Sequence, residues 1–217
     1  MITGLYRWLH RLFSRTGEKG EYSGGYWQDK VRRSALDLSR GVKGRVLEVG
    51  CGEGIFLASI AKENPGLEIY GVDNDERRLQ KARMALKAAD LSLQDATRVS
   101  FEDNYFDAVV CINVLFNMES METVRRTLRE MARVCKTGGR VIFDFRNASN
   151  ALLSAKYRLA KYYDDTLNGL PLNTYSLEEM EAVSKESGLK ILNKKLVGFP
   201  YEPLAPVIVI EAGKYAV

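Results

Sequence analysis

Residues Arg45-Val46-Leu47-Glu48-Val49-Gly50-Cys51-Gly52-Glu53-Gly54 constrain the fold of this chain more than any other stretch. Val46, Leu47 and Val49 form a short apolar run of strand type, and three glycines follow at alternate positions. Ile55, Phe56, Leu57, Ile60 and Ala61 then recur at helical spacing. Strand, glycine turn and helix make the opening unit of a nucleotide-binding α/β fold. A residue without Cβ takes positive φ readily and lets a ligand lie against the backbone. The helix that follows presents free N–H groups and a positive dipole end to that ligand.

The spacing narrows the ligand. A dinucleotide turn reads G-x-G-x-x-G and receives a pyrophosphate on its N–H groups. Here the spacing is G-x-G-x-G, with Glu48 and Glu53 flanking it. Acids beside a phosphate are unfavourable, whereas beside an ammonium or sulfonium they are favourable. An NAD(P)-dependent dehydrogenase is disfavoured on both counts.

Further strands follow in βαβ rhythm, which predicts a parallel sheet with right-handed crossovers. Glu68–Val72 reads as the second strand and ends in Asp73. The third lies near Leu91–Gln94 and ends in Asp95-Ala96, and the fourth, Phe106–Cys111, ends in Ile112-Asn113. The fifth, Gly139–Phe143, follows a Lys136-Thr137-Gly138-Gly139 turn. Helices are expected over Ile55–Glu63, Asp75–Ala89 and Met121–Val134. A capping box at Ser176 and Glu179 opens another helix that Gly188 stops, and Leu189–Val197 and Val207–Ala212 supply two closing strands.

The string VLEVGCGEG resembles motif I of the class I S-adenosylmethionine-dependent methyltransferases, of the type 11/25-like kind. The acid after the second strand, the Asp95-Ala96 pair, the FDAVV strand and the K-x-G-G turn match the same family from strand to strand. The resemblance runs from about Tyr22 to Gly213. It implies an α/β, Rossmann-like fold: a mostly parallel seven-stranded sheet with an antiparallel last strand and helices on both faces.

It also implies S-adenosylmethionine as cofactor, lying along the carboxyl ends of strands one to four. Gly50 and Gly52 would allow close approach of the methionine and ribose portions, and Glu48 would order water or the amino-acid moiety. Asp73 would bind the ribose hydroxyls. Asp95 would accept from the adenine amine, with the Ala96 N–H at the ring edge and Asn74 flanking the site. Ile112 and Asn113 would lie beside the sulfonium. The helix before motif I commonly crosses the cofactor cleft in this family, which makes Tyr22, Tyr26 and Arg33 candidates there. The resemblance designates no catalytic residue. Phe116-Asn117 stands near the place where relatives often carry a histidine.

Composition excludes several other chemistries. The only histidine is His10, so neither a Ser-His-Asp triad nor a multi-histidine metal site is available. Cys51, Cys111 and Cys135 are widely spaced and form no zinc or disulfide framework. No apolar run approaches the roughly 18 residues of a membrane span, and no secretory signal is evident, so a cytoplasmic location is expected.

The net charge of +4 is unevenly spread, because residues 1–45 hold ten Lys/Arg against four Asp/Glu. Leu5, Trp8, Leu9, Leu12 and Phe13 alternate with Arg7, Arg11 and Arg15 as a basic amphipathic helix. That helix either packs on the domain or meets an anionic membrane surface through residues 1–16. We divide the chain into a helical arm and cap, residues 1–44, and a cofactor-binding domain, residues 45–217. Within the latter, Asn147–Asn173 interrupts the βαβ rhythm with tyrosines and basic residues and is read as a substrate-covering insertion. The expected acceptor is a small molecule, amphiphilic in the manner of a lipid or quinone precursor. An RNA or protein acceptor and a non-catalytic cofactor-binding role are the alternatives, with no strong nucleic-acid signal in the core. The sequence carries no statement of oligomeric state.

Overall fold

The computed structural model describes residues 26–155, 157 and 171–215. The expected helix of residues 1–16, Tyr22 and the side chain of Tyr26 lie outside the described residues, as do Lys156, Arg158, Lys161, Tyr162 and Tyr163 of the insertion.

The chain alternates helix and strand in the expected order. Helix α1 (Tyr26–Leu38) precedes β1 (Arg45–Val49), α2 (Ile55–Glu63), β2 (Glu68–Asp73) and α3 (Glu76–Ala85). Then come β3 (Asp90–Leu93), β4 (Phe106–Cys111), a 3-10 turn at Leu115–Asn117, α4 (Met121–Val134) and β5 (Cys135–Arg146). Helix α5 (Leu177–Glu186), β6 (Leu189–Val197), a 3-10 turn at Glu202–Leu204 and β7 (Val207–Lys214) complete it.

The seven strands form one sheet in the order β3-β2-β1-β4-β5-β7-β6. Strands β1 to β5 pair in parallel, and β7 runs antiparallel to both β5 and β6. This is the mostly parallel sheet with an antiparallel last strand that the motifs imply. Its central strands are buried on both faces, so they read as continuous apolar runs rather than as alternation. Leu47, Val49, Val109 and Phe143 face α4 and α5 through Leu128, Met131, Met180 and Val183. Val46, Ala108, Val110 and Ile142 face α1, α2 and α3 through Val31, Ala35, Phe56, Leu57 and Leu79.

Helix α3 and strand β5 differ most from expectation. Helix α3 ends at Ala85 rather than Ala89, with Leu86 as its C-cap. Strand β3 begins pairing with β2 at Asp90 opposite Tyr70, and a helix reaching Ala89 would leave no residues for the turn between them. Strand β5 runs from Cys135 to Arg146, well beyond Gly139–Phe143. Its far end is held by β7, with Asp144 opposite Val209 and Arg146 opposite Val207. The capping box forms as expected, with the Ser176 hydroxyl accepting from the Glu179 N–H and the Glu179 carboxylate accepting from the Ser176 N–H.

Candidate cofactor site

The strand order reverses between β1 and β4, and ligands of such sheets bind in the crevice at the carboxyl ends beside that switch point. The turn after β1 lies against the turn after β4. Gly50 has φ of 78°, and a Cβ built there would stand 2.4 Å from Val114 Cγ2. Only glycine permits both the backbone conformation and this approach.

Three N–H groups of the turn already have acceptors. Gly50 and Cys51 donate to the Val72 carbonyl at 2.7 and 2.9 Å. Gly52 donates to Asp73 Oδ2 at 2.8 Å, and Asp73 Oδ1 accepts from the Asp75 N–H at 2.9 Å. A phosphate would have to displace a buried carboxylate from the very donor it needs. This arrangement favours a neutral or cationic ligand portion over a phosphate.

Beneath the turn, Glu48 is buried at 3% exposure, and its Oε2 has no hydrogen-bond partner among the described residues. Burial raises its pKa well above the ordinary carboxylate value; nearby Arg32 opposes this and Asp73 reinforces it. Arg32 on α1 is itself buried, and burial brings its pKa down to about 10, against the opposing pull of Glu48. A buried carboxylate oxygen lacking a donor is an unusual and costly arrangement. It suits a ligand that brings an ammonium or an ordered water.

The other expected residues fall into two groups. Ile112 is buried and Asn113 half-buried at the carboxyl end of β4, across the switch point from Gly50. Asn74 is exposed at the end of β2, Ala96 is half-buried after β3, and Tyr26 opens α1. Asp95 is exposed, and its Oδ1 accepts from the Thr97 N–H at 2.7 Å and the Thr97 hydroxyl at 2.6 Å. These bonds, the hydroxyl's foremost, lower its pKa. Asp95 thus shapes its own turn, and its second oxygen remains for a ligand.

Two sequence readings need correction. Glu53 does not present its charge to the turn; it pairs with Lys81 of α3 at 3.3 Å. Arg33 points to solvent at 75% side-chain exposure and pairs with Asp29 at 3.0 Å, while its neighbour Arg32 is the buried residue. On a helix, one position rotates a side chain by about 100°, and the buried face runs through Val31, Ala35 and Leu38.

The sequence reading also missed a polar cluster beyond β4. Asp144 and Arg146 are buried on β5, with Arg146 Nη1 donating to Asp144 Oδ2 at 2.6 Å. Asp144 Oδ1 accepts the Asn113 N–H, and Arg146 Nη2 donates to Asn113 Oδ1 at 3.1 Å. The signal was present: an acid and a base alternate with Phe143 and Phe145 directly after the apolar run Val141-Ile142.

The insertion leaves and returns at this same edge. Ala148 N–H donates to the Tyr175 carbonyl at 2.9 Å, and Tyr175 N–H donates to the Arg146 carbonyl at 2.8 Å. Asn173 is fixed to the turn after β4 through bonds to the Phe116 and Met118 carbonyls. A cavity of about 470 Å³ opens there, lined by Ala148, Ser154, Tyr157 and Pro171 to Thr174.

Comparison with known proteins shows the family and the fold. Residues 47–143 match the family described as a methyltransferase domain. A ubiquinone biosynthesis O-methyltransferase of Thiobacillus denitrificans is 32% identical over 182 residues, 77% of this chain and 73% of that protein. A demethylmenaquinone methyltransferase of Thermotoga maritima is 33% identical over 140 residues, 61% of this chain and 58% of the relative's length. A crystal structure of an S-adenosylmethionine-dependent methyltransferase from Methanosarcina mazei shares the fold, with a TM-score of 0.68 at 17% identity over 84% of this chain and 98% of that one. With its acid-lined glycine turn at the switch point of this sheet, the chain belongs to the S-adenosylmethionine-dependent methyltransferases, whose methyl donor is S-adenosylmethionine.

Proposed function

We propose that the protein transfers a methyl group from S-adenosylmethionine to a small amphiphilic aromatic acceptor of the quinone-precursor kind. The single observation that supports the cofactor half is the Gly52–Asp73 contact, in which a buried carboxylate already occupies a donor of the turn that a phosphate would need. The acceptor half is supported by the names of the relatives, a ubiquinone biosynthesis O-methyltransferase and a demethylmenaquinone methyltransferase. The cavity of about 470 Å³ at the root of the insertion is large enough for such an acceptor.

The cofactor supplies an activated methyl group on a sulfonium. Our assignment of the residues runs along the sheet edge. Asp95 Oδ2 and the Ala96 N–H meet the adenine edge beside Asn74, and Asp73 accepts from the ribose hydroxyls. Gly50 and Gly52 let the backbone approach, Glu48 receives the ammonium or a water bound to it, and Ile112 and Asn113 border the reacting methyl group. Tyr26, at the start of α1, borders the cleft from above.

Such a transfer needs alignment and exclusion of water more than proton shuttling. A phenolic or enolic acceptor suits a site of this kind, since it loses its proton with modest help. Asn147–Asn173 would cover the acceptor, and the first 16 residues of the arm 1–44 would either cap the cleft or rest on an anionic membrane where such acceptors dissolve. Among the described residues no helix is long and apolar enough to cross a membrane.

The test is turnover. The purified protein is incubated with labelled S-adenosylmethionine and a panel of short-chain demethylated quinols, catechols, small amines and total RNA. Methylation of a quinol or catechol is expected, and transfer confined to RNA or to the small amines would overturn the acceptor assignment.

A further inference from the structure

Asp144 and Arg146 stand two residues apart on β5, so both side chains leave the same face of the sheet. Their side chains are 1% and 4% exposed. Burial raises the Asp144 pKa, opposed by Arg146 and by the Asn113 N–H. Buried ion pairs are a poor source of stability, because apolar side chains of similar volume often do as well. The pair's other polar contacts converge on one residue. Asp144 takes the Asn113 N–H, and Arg146 donates to Asn113 Oδ1, while its guanidinium lies 4.1 Å from the centre of the Phe116 ring. Asn113 holds φ of 59°, which few residues other than glycine adopt. Its amide also reaches across to α1, with Nδ2 donating to the Gln28 carbonyl at 3.4 Å.

The position of this cluster carries the argument. A cofactor fixed at β2 by Asp73 and laid over the Gly50–Gly52 turn extends towards β4, where Asn113 borders the crevice. A lone guanidinium just beyond would repel a sulfonium. We propose that Asp144 and Arg146 are positioning residues that act as a charge-compensated anchor: Arg146 holds Asn113 in its left-handed turn beside the sulfonium, and Asp144 cancels the repulsion that this cation would otherwise exert. The proposal rests on the placement of the cofactor given above.

The experiment compares the cationic ligand, S-adenosylmethionine, with the neutral thioether, S-adenosylhomocysteine, by calorimetry on the full chain. A structural defect weakens both alike, whereas a charge effect changes their ratio. Asp144→Asn leaves Arg146 uncompensated and is expected to weaken S-adenosylmethionine about tenfold more than S-adenosylhomocysteine. The double variant D144N/R146M, in which both charges are gone, should restore the wild-type ratio to within about twofold. Where Asp144→Asn fails to fold, Asp144→Ser, which also removes the carboxylate and leaves Arg146 uncompensated, reads the same sign. An unchanged ratio in the folded single variants, or an altered one that persists in the double variant, overturns the proposal. Failure of the wild-type protein to bind either ligand would overturn the cofactor placement as well.

Discussion

The backbone N–H of Gly52 donates to the carboxylate of Asp73 at 2.8 Å, joining the turn after β1 to the end of β2. One bond thereby commits a donor of the turn to a carboxylate, the group proposed above to accept from the ribose hydroxyls. Asp73→Ala is expected to weaken S-adenosylhomocysteine binding by roughly 1.5–3 kcal/mol, through loss of hydrogen bonds to an ionised acceptor. Calorimetry on folded variant protein checks it, and an unchanged affinity would remove the ribose assignment.

Glu48 yields a pH signature. Burial raises its folded pKa above the unfolded value, so between the two the folded state holds a proton that the unfolded state has released. Stability from this group is fully present below the unfolded pKa and falls as pH rises towards the folded one. Relative to wild type, Glu48→Gln should gain stability across that same rise and lose affinity for S-adenosylhomocysteine. Urea midpoints of both proteins from mildly acidic to neutral pH give the comparison. Parallel pH profiles would show that Glu48 does not titrate in this way.

Asn147 ties the root of the insertion to the β6–β7 connection. Its Nδ2 donates to the Glu202 and Ala205 carbonyls at 2.7 and 3.0 Å, and its Oδ1 accepts the Ser149 N–H at 3.0 Å. Asn147→Ala leaves buried backbone groups without partners and should destabilise the fold by about 2–4 kcal/mol. Equilibrium denaturation measures this; a loss under about 0.5 kcal/mol, the range of neutral surface changes, would mean that water replaces the amide.

Two glycines with nearly equal φ separate steric contact from backbone strain. Gly138 has φ of 77° and nothing within 4 Å of an added Cβ, whereas at Gly50 the same atom meets Val114. Gly138→Ala should cost about 1–2 kcal/mol, the penalty of the left-handed conformation. Gly50→Ala should cost more and should also disturb ligand binding, because relieving the clash moves the turn after β4. Thermal melts with and without S-adenosylhomocysteine test both, and equal costs with unaltered binding would contradict the contact.

Much of this fold is legible along the chain because its signals are local. Apolar strands ending in acids, glycines at alternate positions and the Ser176–Glu179 capping box each act over a few residues. Those signals specify the element order, the mostly parallel sheet and the acid-lined turn. Tertiary structure decided what depends on partners distant in sequence. Pairing with β7 carried β5 on to Arg146. The packing face of α1 chose Arg32 over Arg33 for burial, and a lysine on α3 neutralised Glu53. Asp144 and Arg146 read in sequence as two charges in an apolar strand. They become a single neutral unit only where β5, the end of β4 and α1 meet at Asn113. A buried charge is tolerated only when paired, and the folded chain alone brings those partners within reach.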